Sequence, residues 1–111
     1  MPRVLRSTLP DGFFHVTTRG VFGARVFRDN ADRYAFLRLV EECIDRYGWR
    51  VHALCLMGRH YSLLVETTQP RLSRGMQYLN GCYAQRFNLR HGRHGHLWGA
   101  RFASWVVDSE V

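Results

Sequence analysis

Lysine is absent from this chain: all 16 basic residues are arginine, set against 9 acidic ones, for a formal charge of +7 and a pI near 10.2. Codon preference explains the missing lysine as readily as function does, but it does not explain the surplus of positive charge. Arginine carries a planar fork that pairs with phosphate and stacks on bases, so a polyanionic partner is the first expectation. Acidic residues are missing altogether between Glu66 and Asp108. Paired cysteines are missing too. Cys43, Cys55 and Cys82 stand apart with no CxxC spacing, each at an apolar or semi-apolar position, and are expected to be buried free thiols in a reducing compartment. No run of about 18 apolar residues is present to span a membrane, and Met1 to Leu9 lacks the apolar core of a signal peptide. The expectation is a cytoplasmic protein with no membrane partner. What is present, 111 residues at 46% hydrophobic content, suits one globular domain over 1–111.

Periodicity lays out the elements. Pro10-Asp11-Gly12 reads as a turn, and Phe13 to Arg19 then alternates, with Phe14, Val16 and Thr18 on one face and His15, Thr17 and Arg19 on the other. Gly20 to Arg28 reads as a loop, and Asp29-Asn30 as a helix cap. From Ala31 to Tyr47, Phe36, Leu37, Val40, Cys43, Ile44 and Tyr47 recur at helical spacing, and Gly48 ends the helix. Strands over Trp49–Met57 and His60–Thr67 flank a Gly58-Arg59 turn. Pro70 opens a second helix, Leu72 to about Asn88, with Leu72, Met76, Leu79, Tyr83 and Phe87 on its stripe. A glycine- and histidine-rich tail, Leu89 to Gly99, leads to a final strand, Arg101 to Val107. The order β-α-β-β-α-β predicts an α+β, ferredoxin-like domain, a four-stranded antiparallel sheet with helices on one face.

The hairpin is where a function is expected. The two-residue period from His60 puts Tyr61, Leu63 and Val65 in the core and leaves His60 and Ser62 together on the opposite face, where His15 could join them. Between Arg71 and Arg101, arginines and histidines interleave with Tyr83, Phe87 and Trp98, as a site that neutralises phosphates and stacks bases requires; a solvated helix face with a loop is the plain alternative. His91, His94 and His96 with Cys82 do not have the paired spacing of a zinc site. Tyr83, on the apolar stripe, is more easily a core ring than a nucleophile.

Phe14-His15-Val16-Thr17-Thr18-Arg19-Gly20, Leu54 to Glu66, Tyr83 to Arg93 and Gly95 to Phe102, in this order and covering about 13–107, resemble the single-tyrosine HUH transposases, most closely the REP-associated tyrosine transposases of bacteria. The resemblance implies a strand with His-hydrophobic-His holding magnesium or manganese, and a tyrosine on a later helix that attacks single-stranded DNA to leave a 5′-phosphotyrosine. Here His60 matches the first metal ligand while Ser62 stands at the second, so a weak or absent metal is expected. The helix that would carry the nucleophile lies beyond Val111, so the domain is expected to be incomplete at its C-terminus, and Tyr83 lies one helix too early to replace it.

The expectation is therefore a transposase-like domain that binds single-stranded or hairpin DNA without cleaving it, with Arg19, Arg71, Arg74, Arg86, Arg90, Arg93, His94, Trp98 and Arg101 as contacts and a homodimer allowed for. The alternatives are an active metal-dependent transposase or nuclease using Tyr83, and a ferredoxin-like interaction module that binds no nucleic acid.

Overall fold

The computed structural model describes residues 12–99 and the backbone of 103–107; the expected Pro10-Asp11 turn and Arg101 lie outside them. Five main elements precede the last strand: β1 (Gly12–Arg19), α1 (Asn30–Tyr47), β2 (Arg50–Leu56), β3 (His60–Thr67) and α2 (Gln69–His91). β2, β3 and β1 form the antiparallel body of an α+β sheet, and the short β4 (Ala103–Val107) extends it along the free edge of β1.

The alternation in β1 and β3 decides which side the helices cover. Phe14, Val16, Tyr61, Leu63 and Val65 are buried, and they join Phe36, Leu39, Val40 and Cys43 of α1 and Leu72, Met76, Leu79, Tyr83 and Phe87 of α2 in one core. Burying such side chains stabilises the fold by roughly 1.5–3 kcal/mol each. On α1 the buried track also takes in Asp32, whereas Ile44, expected inside, is 39% exposed. The track follows i, i+4, i+7, i+8 and i+11 from Asp32, which leaves Ile44 at its margin.

β2 departs furthest from expectation. It is an edge strand with a bulge between Val51 and Ala53, and most of it is exposed, Leu54 by 41% and Cys55 included. Cys55 is therefore not a buried thiol. Cys43 is one: its Sγ donates to the Gly75 carbonyl, and burial, with Glu42 nearby, pushes its pKa up to about 12, so it stays protonated and unreactive.

Both helices end on glycine in the left-handed region, where a side chain would be strained: Gly48 at φ 66° and Gly92 at φ 63°. The second of these lengthens α2 beyond the sequence expectation. Leu89, Arg90 and His91 are helical rather than part of a tail, because the cap is Gly92, whose N–H bonds to the Asn88 carbonyl. At the other end Thr68 caps α2 by accepting from the Arg71 N–H, ahead of Pro70.

Candidate nucleic-acid interface

The face of the sheet away from the helices is built by register. β1 and β3 pair antiparallel with His15 opposite Leu64, Thr17 opposite Ser62 and Arg19 opposite His60, and residues directly opposite share a face. His60 and Ser62 thus project together, as the alternation predicts. His15 is not beside His60; it lies two cross-strand pairs further along. The neighbour of His60 is Arg19, and the Ser62 hydroxyl is 3.2 Å from that of Thr17.

At the His60 end, the connection from β1 to α1 folds back over the β2–β3 turn. The Gly20 N–H donates to the Arg59 carbonyl at 2.9 Å, and those of Val26 and Phe27 to the Gly58 carbonyl. A Cβ at Gly20 would stand 2.3 Å from the Ala24 carbonyl oxygen, so only glycine allows this return. Val26 and Phe27 are fully buried, which anchors a segment the sequence presents as loop. Three arginines are thereby collected: Arg19 beside His60, Arg25 with its guanidinium over Gly58, and Arg59, whose guanidinium donates to the Gly23 carbonyl. Among the described residues none of the three forms an ion pair with a carboxylate.

α2 runs back along the sheet, so its arginines separate. Arg71 and Arg74 lie at the far end, where the Arg71 carbonyl accepts from Trp49 Nε1 at 3.1 Å. Arg86 is exposed on the C-terminal half, about 22 Å further along at 1.5 Å per residue. That half overlies the His60 end, since Asn80 accepts from the hydroxyl of Tyr61 and from Trp98 Nε1, and Val21 N–H donates to the Leu97 carbonyl. The segment 95–98 and α2 enclose a shallow groove of about 350 Å³ lined by Asn80, Ala84, Asn88 and His96.

Several expected DNA contacts are occupied within the fold. Arg90 grips Asp29 and Asp32, each at 2.7 Å, and His91 contacts Asp32 at 3.0 Å. Burial raises the Asp32 pKa, but the Arg28 N–H, His91 and Arg90 outweigh it and hold the group below its ordinary value. Asp29 is lowered chiefly by its bonds to Arg90. Of the basic residues after Glu66, Arg90 and His91 are thus answered by carboxylates from the start of α1. Arg93 folds back onto Asn88 and the carbonyls of Gly95 and His96. Trp98 packs on Tyr61 and Tyr83 and is half-buried. His94 is exposed in the loop.

Tyr83 is 1% exposed, packed against Phe27, Phe36 and Phe87, and its hydroxyl donates to the Val26 carbonyl. Burial, reinforced by Asp32 and Asp29, pushes its pKa far up. It lies on the helix side of the sheet, opposite to the face that bears His60 and Ser62.

A sequence profile described as "Transposase IS200 like" matches residues 12–110. The chain belongs to the IS200-like transposase family. No curated protein sequence matches it. Among solved structures, a candidate transposase of Deinococcus radiodurans R1 is 16% identical with a TM-score of 0.70, over 92% of this chain and 83% of that one. A REP-associated tyrosine transposase bound to a REP hairpin is 14% identical with a TM-score of 0.57, over 88% of this chain and 57% of that one. At such identities the likeness is one of fold. In this IS200-like transposase domain sequence reasoning left Arg59 out of the site and held Arg25 only as part of a fallback footprint with Arg19 and Arg28. The signal of Arg25 and Arg59 was faint, a basic residue on either side of a tight approach between Gly20 and Gly58, and only the long-range backbone bonds bring them together.

Proposed function

We propose that this transposase domain binds single-stranded or hairpin DNA at the His60 end of its sheet and does not cleave it. The observation that carries the reading is the convergence of Arg19, Arg25 and Arg59 around His60, with Arg86 and His94 at the same end. Guanidinium groups without carboxylate partners suit phosphate oxygens, and a single strand can follow such a ridge where a stiff duplex would need a groove. The β-α-β-β-α-β order and the placement of β3 between β2 and β1 support a ferredoxin-like arrangement, and the structural neighbour that holds a REP hairpin supports DNA as partner. Among the described residues β2 pairs on one side alone, and its outer edge could take a second copy, a state that sedimentation at rising concentration reads.

The divalent ion expected of an HUH site does not fit the residues present. Among the described residues no three histidine, cysteine or carboxylate groups gather to hold one. Among the described residues, the same face beside His60 carries the mutually bonded hydroxyls of Ser62 and Thr17, with Arg19 opposite. One imidazole with neutral hydroxyls is a weaker donor set for a divalent ion than the two imidazoles the resemblance implies, and Arg19 opposite supplies charge of the wrong sign. Arg19 is instead placed to take up phosphate charge itself. The test is the binding of a labelled hairpin oligonucleotide across a salt series. The account predicts a steep linear fall of log affinity with log salt; a flat profile favours a module that does not bind nucleic acid.

A further inference from the structure

Phe22 is the most exposed large apolar side chain among the described residues, at 102% of its reference area, and its backbone is left-handed, with φ 50° and ψ 35°. A single exposed apolar residue is ordinary, and so is a strained one in a loose loop. Phe22 is neither. Its 3-10 turn, Val21–Gly23, is pinned on both sides: Val21 N–H to the Leu97 carbonyl at 2.8 Å, Ala24 N–H to the Val21 carbonyl at 2.8 Å, and the Arg59 guanidinium to the Gly23 carbonyl. Behind it Gly20 bridges Trp98, and Val26 and Phe27 are sunk in the core. A bulky residue persists in the left-handed region only where its surroundings over-determine it, and here they hold an aromatic ring out into solvent.

The charges around the ring indicate what it meets. Phe22 follows Arg19 by three residues and precedes Arg25 by three, and Arg59 bonds to the next residue along. An apolar ring on a turn held by Arg59, with Arg19 and Arg25 three residues to either side in sequence, repels a basic partner and gives a neutral apolar one little to pair with. A nucleobase attached to a phosphate satisfies both features at once, since every base has a π face and stacking is indifferent to sequence.

We propose that Phe22 is a stacking platform for an unpaired base of the strand received at the His60 end. This rests on the DNA-binding reading above and adds to it a contact that distinguishes exposed bases from backbone. The phosphates engage the arginines, the base lies on the ring, and duplex DNA, whose bases are already stacked, gains nothing from Phe22.

The test uses a fluorescein-labelled oligo-dT strand and an abasic strand of equal length, with wild type, Phe22→Ala and Phe22→Trp. One stacked base is expected to make wild type prefer oligo-dT over the abasic strand by about tenfold. Phe22→Ala should lose that preference while keeping its salt slope and its abasic affinity, and Phe22→Trp should restore the preference. Because the ring touches no core, Phe22→Ala should melt as wild type does. If wild type prefers oligo-dT and Phe22→Ala does so equally, the platform is refuted, the ring is left to a protein partner, and DNA binding stands. If wild type binds neither strand in a salt-dependent way, the DNA-binding reading falls, and the platform with it.

Discussion

Single residues in this domain do work that their type conceals. Gly75 sits inside α2, where alanine would ordinarily stabilise a helix by about 1 kcal/mol, yet a Cβ there would stand 2.3 Å from Cζ2 of Trp49. Trp49 is buried and tied through Nε1 to the Arg71 carbonyl, so the ring cannot step aside. Overpacking of this kind costs roughly 1–3 kcal/mol and outweighs propensity: Gly75→Ala should lower the urea midpoint, and an unchanged or raised midpoint would show that Trp49 moves freely. Asp32 is the other hidden residue, a carboxylate 2% exposed in a position the sequence presents as solvent-facing. Its pKa and that of Asp29 are lowered in the fold. The stability they contribute is therefore complete above the unfolded value of about 3.9 and is lost as pH falls through the lower folded values. Asp32→Asn should cost roughly 2 kcal/mol near neutrality, the range of hydrogen bonds to charged groups, and should shrink the loss of stability measured between pH 5 and pH 2 by urea titration.

Elements differ in how plainly the sequence declares them. The alternation of β3 was legible because one face is buried along its whole length, so a one-residue slip would turn every core side chain to solvent. The stripe of α2 was legible for the same reason, Leu72, Met76, Leu79, Tyr83 and Phe87 being buried as their spacing predicts. β2 was read as a strand with Cys55 buried, but its place at the sheet edge is a property of topology that its own residues do not encode. The segment Gly20 to Arg28 was read as loop, and it is one, yet its burial of Val26 and Phe27 depends on hydrogen bonds to Gly58, far away in sequence. Arg90 and His91 were read as part of a basic tail because their partners, Asp29 and Asp32, lie some sixty positions away. Long-range pairing decided each misreading, and local pattern decided each success.

At the scale of the molecule, the sheet divides the chemistry. On the proposed reading Tyr83, buried on the helix side, does not meet a phosphate held at His60 on the opposite face of the sheet. Incubation with a labelled hairpin, with or without manganese, should give no covalent band on a denaturing gel, and a band lost in Tyr83→Phe would overturn that division. The arginines are divided along the other axis, with Arg71 and Arg74 at one end and Arg19 and Arg25 at the other, which makes the proposed footprint directly measurable. Hairpin affinity across a salt series should be compared for wild type, Arg19→Gln/Arg25→Gln and Arg71→Gln/Arg74→Gln. At about 0.7 per phosphate contact on a single strand, the first pair should reduce the log–log slope by roughly 1.4 and the second should leave it unchanged. A slope reduced by the second pair and not by the first would place the DNA on the far end of α2 and contradict the account.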